Sequence, residues 1–137
     1  MGDRANLYIV PDGDPDEGIY FYTHYSGYRL NDALSAALDF GRSRWDDEAY
    51  LTRILASQIF KELHDDTLGG GISLSRTGGD GYPIIVVDIA NQRLYALPEG
   101  AEQGEPDETT VFESFYSYVM REHPEREPYE NVPITKM

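Results

Sequence analysis

Cysteine is absent from the chain. That excludes disulfides, a thiol nucleophile and any zinc–thiolate centre. Lysine is nearly absent too: among eleven basic residues only Lys61 and Lys136 are lysines, and the rest are arginines. No apolar run approaches the roughly 20 residues that a membrane-spanning helix needs. The start, "MGDRANLYIV", lacks the basic opening and long apolar stretch of a secretory leader. A myristoylation signal needs Ser or Thr where Asn6 stands. Together these absences predict a cytoplasmic protein with no membrane partner.

Acid is what the chain has in excess. Twenty-five Asp and Glu against eleven Lys and Arg leave a net charge of −14. A charge that far from zero repels nucleic acid and anionic membrane, so direct nucleic-acid binding is not expected. It leaves two roles for the carboxylates, a solvated surface or a face made for a basic partner. A 137-residue chain that is 40% hydrophobic and 12% aromatic has the material for one domain. A domain of that size buries about 70% of its unfolded surface.

The elements follow from pattern. "NLYIV" (6–10) reads as a strand that stops at Pro11, before the acidic turn-forming run "PDGDPDEG". "IYFYTHY" (19–25) alternates Ile19, Phe21, Thr23 and Tyr25 with Tyr20, Tyr22 and His24; both sets are largely aromatic, so both faces should be covered at least in part. In "LNDALSAALDFG" Asn31 is the expected cap, Ala33, Leu34, Ala37 and Leu38 the buried stripe, and Gly41 the stop. Asp46 reads as the cap of a second helix reaching about His64, with Trp45 stapled to Tyr50. "GGGISLS" suggests a glycine bend or bulge leading into a short strand, and "PIIVVDI" (83–89) a central strand. "ANQR" turns that strand back into the hairpin partner "LYALP". An acidic loop over 98–108 precedes a third helix in "TVFESFYSYVM", boxed by Thr110 and Glu113, with Phe112, Phe115, Tyr116 and Val119 on its apolar side. Pro124 should end it. The expected architecture is therefore α+β: a mainly antiparallel sheet of about five strands with three helices packed on it. One domain would span 1–123, with an extended tail over 124–137.

The chemistry-bearing groups are sparse. Asp12, Asp14 and Asp16 begin as a calcium loop does, but Glu17 stands where such a loop needs Gly and Thr23 where it needs Glu. A solvated turn accounts for them, and no metal site is predicted. Gly69–Gly71 lack the following helix or lysine with which glycine loops hold phosphate. His24 and Ser26, with Asp32, Asp39 and Asp88 to draw on, lack any nucleophile-elbow context. His64, Asp65 and Asp66 are adjacent residues that point apart. No catalytic residue and no cofactor is therefore assigned. Asp88 interrupts an apolar strand; it calls for Arg93 or Arg53 as partner, or for a partly solvated place at the strand end. Tyrosines combine an apolar ring with a polar tip and are enriched at interfaces. Tyr20, Tyr22, His24 and Tyr28, with the acids Asp46, Asp47 and Glu48, are the residues expected to meet a protein partner.

Three segments, "YFYTHYSGYRLNDALSAAL", "RWDDEAYLTRIL" and "YPIIVVDI", resemble as a set a group of small acidic proteins of actinobacterial phages and prophages. These share a "YTH" segment, an "RWDD" segment and a "YP..VVD" strand, and the likeness covers roughly residues 19–90. No agreed activity comes with that group. The resemblance implies a phage context, in which small acidic proteins commonly act by occupying another protein. Two readings stay open: a non-enzymatic protein that binds a host or phage protein, in one version as an acidic mimic of nucleic acid, and a small-molecule or nucleotide binder, or enzyme, using a cleft near His24 and Gly69–Gly71. A homo-oligomer is a further class that one sequence leaves open.

Overall fold

The computed structural model describes residues 3–63, 69–76, 78–98 and 105–123. The tail expected over 124–137, the stop at Pro124 and the His64–Asp66 group lie outside these residues. The chain folds as β1 (Ala5–Val10), β2 (Ile19–Thr23), α1 (Leu30–Phe40), α2 (Glu48–Leu63), β3 (Gly70–Ser73), β4 (Ile84–Asp88), β5 (Arg93–Leu97), β6 (Glu113–Ser114) and α3 (Phe115–Glu122). The fold is α+β, as the pattern predicts, with a sixth, two-residue strand beyond the expected five. Sheet order is β3-β2-β1-β4-β5-β6. Every neighbouring pair is antiparallel except β1 and β4, which run parallel with Leu7 beside Ile85 and Val10 beside Asp88.

All six residues of β1 are buried, because it lies between two strands and is covered on both faces. One face carries Leu7, Ile9, Phe21, Val87 and Leu94, and these pack with Leu34 and Leu38 of α1, Leu55 and Ile59 of α2, and Phe115 and Val119 of α3. The other face gathers Tyr8, Val10, Tyr20, Ile84, Val86, Tyr95 and Leu97 into a second apolar cluster. Alternation therefore sends Phe21 to the helices and Tyr20 to the opposite side, which explains why both sets in "IYFYTHY" are aromatic.

The helix starts differ from those read off the sequence. A 3-10 turn at Gly27–Arg29 leads directly into α1, so Asn31 is already inside the helix and caps nothing. Its Oδ1 instead accepts from the Tyr118 hydroxyl at 2.6 Å, tying α1 to α3. For α2 the cap is Asp47, not Asp46: Asp47 Oδ1 accepts from Tyr50 N at 3.2 Å. A second 3-10 turn at Arg42–Arg44 re-aims Trp45 into the core, where it is fully buried, donates to Leu38 O at 2.9 Å and meets Phe115 edge-on. Tyr50 stays exposed under the Arg44 guanidinium, so the expected staple does not form. In α3, Ser114 caps by accepting from Ser117 N at 3.0 Å, while Thr110 belongs to a turn around Asp107. Phe112 accordingly lies outside the helix, and Tyr118 takes the buried place. Gly69 is the expected bend before β3, while Gly70 and Gly71 are already strand residues, paired with Thr23 and Tyr22.

Candidate binding surface

The chain's direction gives the sheet two ends with different chemistry. β1 and β4 finish at the same end, where Ile89 N donates to Val10 O at 3.0 Å. Gly13, at φ +90°, brings the 11–18 loop against the β4–β5 turn; a Cβ there would lie 3.5 Å from that of Ala90. Phe115 N donates to Gln92 O in that turn at 2.9 Å, and the Trp45 ring stands 5.4 Å from the Phe115 ring. The loop after β1 and the start of α2 thus come to one end of the domain. Asp12, Asp14, Asp16 and Glu17 are exposed on the loop, where Asp16 borders the Tyr8–Tyr20 face, and exposed Asp46 and Glu48 with half-buried Asp47 lead into α2 on the helix face.

Two arginines near the start of α2 are already engaged. Arg42 is buried against Asp39 at 2.7 Å, and Arg44 lies 3.7 Å from Asp47 with its guanidinium 4.4 Å over the Tyr50 ring. The loop acids turn onto their own backbone, Asp16 N donating to Asp14 Oδ1 at 3.0 Å. That geometry holds the loop in a tight turn with its carboxylates outward. Among the described residues no group of three or more His, Asp or Glu is placed to hold a metal ion.

The opposite end is aromatic and basic–acidic in pairs. Tyr22 hydroxyl and His24 Nδ1 share a hydrogen bond at 2.6 Å. Arg4 grips Asp80 through Nε at 3.2 Å, Nη2 at 2.9 Å and its backbone N–H at 2.7 Å. Those donors hold the Asp80 carboxyl at about 2, below the ordinary carboxylate range. Tyr82 donates to Asp3 Oδ1 at 2.9 Å, and that bond pushes its hydroxyl pKa up. Tyr25 and Tyr28 project from this end, 57% and 71% exposed.

A cavity of about 410 Å³ opens on the second face, lined by Tyr8, Pro15, Asp16, Tyr20, Leu74, Ser75 and Arg76. Its two tyrosine rings lie 4.5 Å apart. The Tyr8 hydroxyl donates to Pro15 O and accepts from Gly18 N, and burial raises the pKa of both tyrosines.

The seven residues expected to meet a partner divide between these places. Tyr20 is buried in the second cluster, Tyr22 and His24 are half-buried and Tyr28 is exposed at the aromatic end. Asp46, Asp47 and Glu48 stand at the acidic end. The groups weighed for catalysis are dispersed: His24 Nδ1 is taken by Tyr22, Asp39 by Arg42 and Asp88 by Arg93. Arg4, Asp80 and Tyr82 had no local signal, because Arg4 and Asp80 stand far apart in the chain. No family profile, curated protein or solved structure matches the chain.

Proposed function

We propose that this chain is a non-enzymatic binding protein of phage or prophage origin, which occupies a basic protein partner in the host cytoplasm through its acidic end. The observation that supports the reading is that two acid runs separated in sequence, Asp12–Glu17 and Asp46–Glu48, belong to segments packed toward the same end of the sheet. Seven carboxylates toward this end, with Arg42 and Arg44 engaged and Arg76 beside Asp16, leave it an excess of negative charge. Such a field steers a basic partner and raises its rate of encounter. Duplex DNA presents one charge per roughly 1.7 Å of axis. A dense carboxylate patch therefore competes for the same basic groove, and a nucleic-acid-handling protein is the partner class it suits.

The test compares capture from nuclease-treated actinobacterial lysate by the wild-type chain and by a variant carrying Asp12→Asn, Asp14→Asn, Asp46→Asn and Glu48→Gln. The expected result is a basic partner that binds the wild type, leaves it as salt rises and ignores the neutralised variant. Equal capture by both chains, or none by either, would overturn the reading.

A further inference from the structure

β3 forms one margin of the sheet. His24 N donates to Gly69 O at 2.8 Å, so His24–Gly69, Tyr22–Gly71 and Tyr20–Ser73 are its hydrogen-bonded pairs with β2. By the same alternation, the backbone N–H and C=O of Gly70 and Ile72 point away from the sheet. Natural edges are guarded against further pairing by lysine, proline, charge or a bulge. The run Gly69–Ser75 has no charged residue and no proline, with Arg76 the first charge beyond it, and it leaves Ile72 57% and Leu74 83% exposed. The other margin differs: β6 covers Arg93 and Leu94 of β5, and Asp107 and Glu113 line the cavities beside it.

We propose that two copies of this chain join edge to edge through β3, antiparallel, with Ile72 of each copy opposite Ile72 of the other. Charge selects this occupant. A chain of net charge −14 repels its own copy over most of its surface, but the strip Gly69–Ser75 carries no charge of its own, and the Asp16 carboxylate beside its far end lines the same cavity as Arg76. A basic partner would find along the strip itself no carboxylate to pair with. In this register the two Ile72 residues exchange both backbone hydrogen bonds, and Gly71 of one copy faces Ser73 of the other, where the missing side chain leaves room. Ile72 shares its face with Phe21, whose ring lies 5.5 Å from that of Phe60, so the joined edges extend the apolar layer under α2. The contact is isologous, and it makes one continuous sheet of the two. Four strand residues a side bury less than the roughly 1,600 Å² of a standard interface, so the dimer is weak and concentration-dependent.

Sedimentation velocity of the full chain over a concentration series tests this, at low salt and at salt that shortens the Debye length to a few Å. The expected result is a monomer–dimer equilibrium that shifts toward dimer as salt screens the repulsion, opposite in sign to the salt response of the acidic end. Ile72→Lys adds a guarding charge, and Ile72→Pro removes an N–H that points away from β2. Each should weaken the dimer at least about tenfold while circular dichroism and melting temperature stay near wild type. In the wild type, exchange of the Ile72 amide should slow as concentration rises. A wild-type chain that is monomeric throughout, or a dimer undiminished by both substitutions, would overturn the proposal.

Discussion

Arg93 Nε donates to Asp88 Oδ2 at 2.9 Å across the turn between β4 and β5. Asp88 is at the strand end, but it is only 3% exposed and not partly solvated, because Asn91 N and Nδ2 and Arg93 Nε all donate to it. Arg93 in turn lies 4.0 Å from the Phe112 ring, which fastens the segment before β6 to the turn. Asp88→Ala strips three donors of their acceptor and should cost about 1–3 kcal/mol. Asp88→Asn, which keeps an acceptor, should cost less. Urea melts decide; equal stability for Asp88→Ala and wild type would remove this cluster from the account of the fold.

Leu55 and Val86 are each 0% exposed, on opposite faces of the sheet. An aspartate at either site is a charge without a partner, costing several kcal/mol, comparable with the whole stability of a small domain. Both Leu55→Asp and Val86→Asp should lose their cooperative thermal transition. Native near-ultraviolet dichroism in either would place the core elsewhere.

The two aspartates before α2 should differ sharply. Asp47→Ala removes the cap on Tyr50 N and should cost about 1 kcal/mol. Asp46→Ala, at an exposed site outside the cap, should change stability by less than about 0.5 kcal/mol. Paired melting curves of the two variants measure this, and a reversed order would restore Asp46 as the cap.

Acid should loosen the end of the sheet held by Arg4. Asp80 titrates at about 2 in the fold against 3.8 ordinarily. A depressed folded pKa means that its contribution is fully present above 3.8 and is lost as pH falls through about 2. Carboxyl carbon shifts followed by NMR should give that low midpoint, and Arg4→Ala should return it toward the ordinary value. A midpoint unmoved by Arg4→Ala would mean that the fork does not hold the carboxylate.

Base should act on the other cluster. Burial, with Asp88 nearby, pushes the Tyr95 hydroxyl from 10.0 up to about 12. A raised folded pKa means that stability from keeping it neutral is fully present below 10.0 and is lost as pH rises through about 12. The phenolate absorbance should therefore show a late-titrating tyrosine that Tyr95→Phe removes. An unchanged curve in that variant would show Tyr95 to be solvated.

What was legible in the sequence was whatever depends on near neighbours. The stripe Ala33, Leu34, Ala37 and Leu38 reads as a helix because its spacing matches 3.6 residues per turn, and it is buried as read. Gly41 closes that helix, where a Cβ would press on Leu51 Cδ1 at 3.0 Å. Arg93 was identifiable as a partner of Asp88 because a hairpin sets them face to face. The cap positions at Asn31 and Asp46 miss by one or two residues, and the other differences need distant information. Trp45 was assigned to Tyr50 because the pattern of a staple is local, whereas its actual neighbour, Phe115, comes from the other end of the chain. Thr110 lost the capping role to Ser114 because β6 pairs with β5 and carries the helix start four residues on. For the candidate site, the acids could be counted from the sequence but not brought together. The packing of the 11–18 loop against the β4–β5 turn, and of Trp45 against Phe115, is what turns both runs toward the same end of the sheet. The exposed edge at Ile72 had a signal in the alternating "GISLS", but strand order was needed to show that among the described residues no strand lies beyond it.

The parallel contact between β1 and β4 has a kinetic meaning. The β4–β5 hairpin closes over a short turn and can form early, but Leu7 reaches Ile85 only after β2, α1, α2 and β3 have been threaded between them. Closing so long a loop spends chain entropy before its contacts return any stability. The meeting of β1 with β4 is thus where two antiparallel halves become one cooperative unit, and the speed of folding rests on the pair of strands that lies deepest in the sheet.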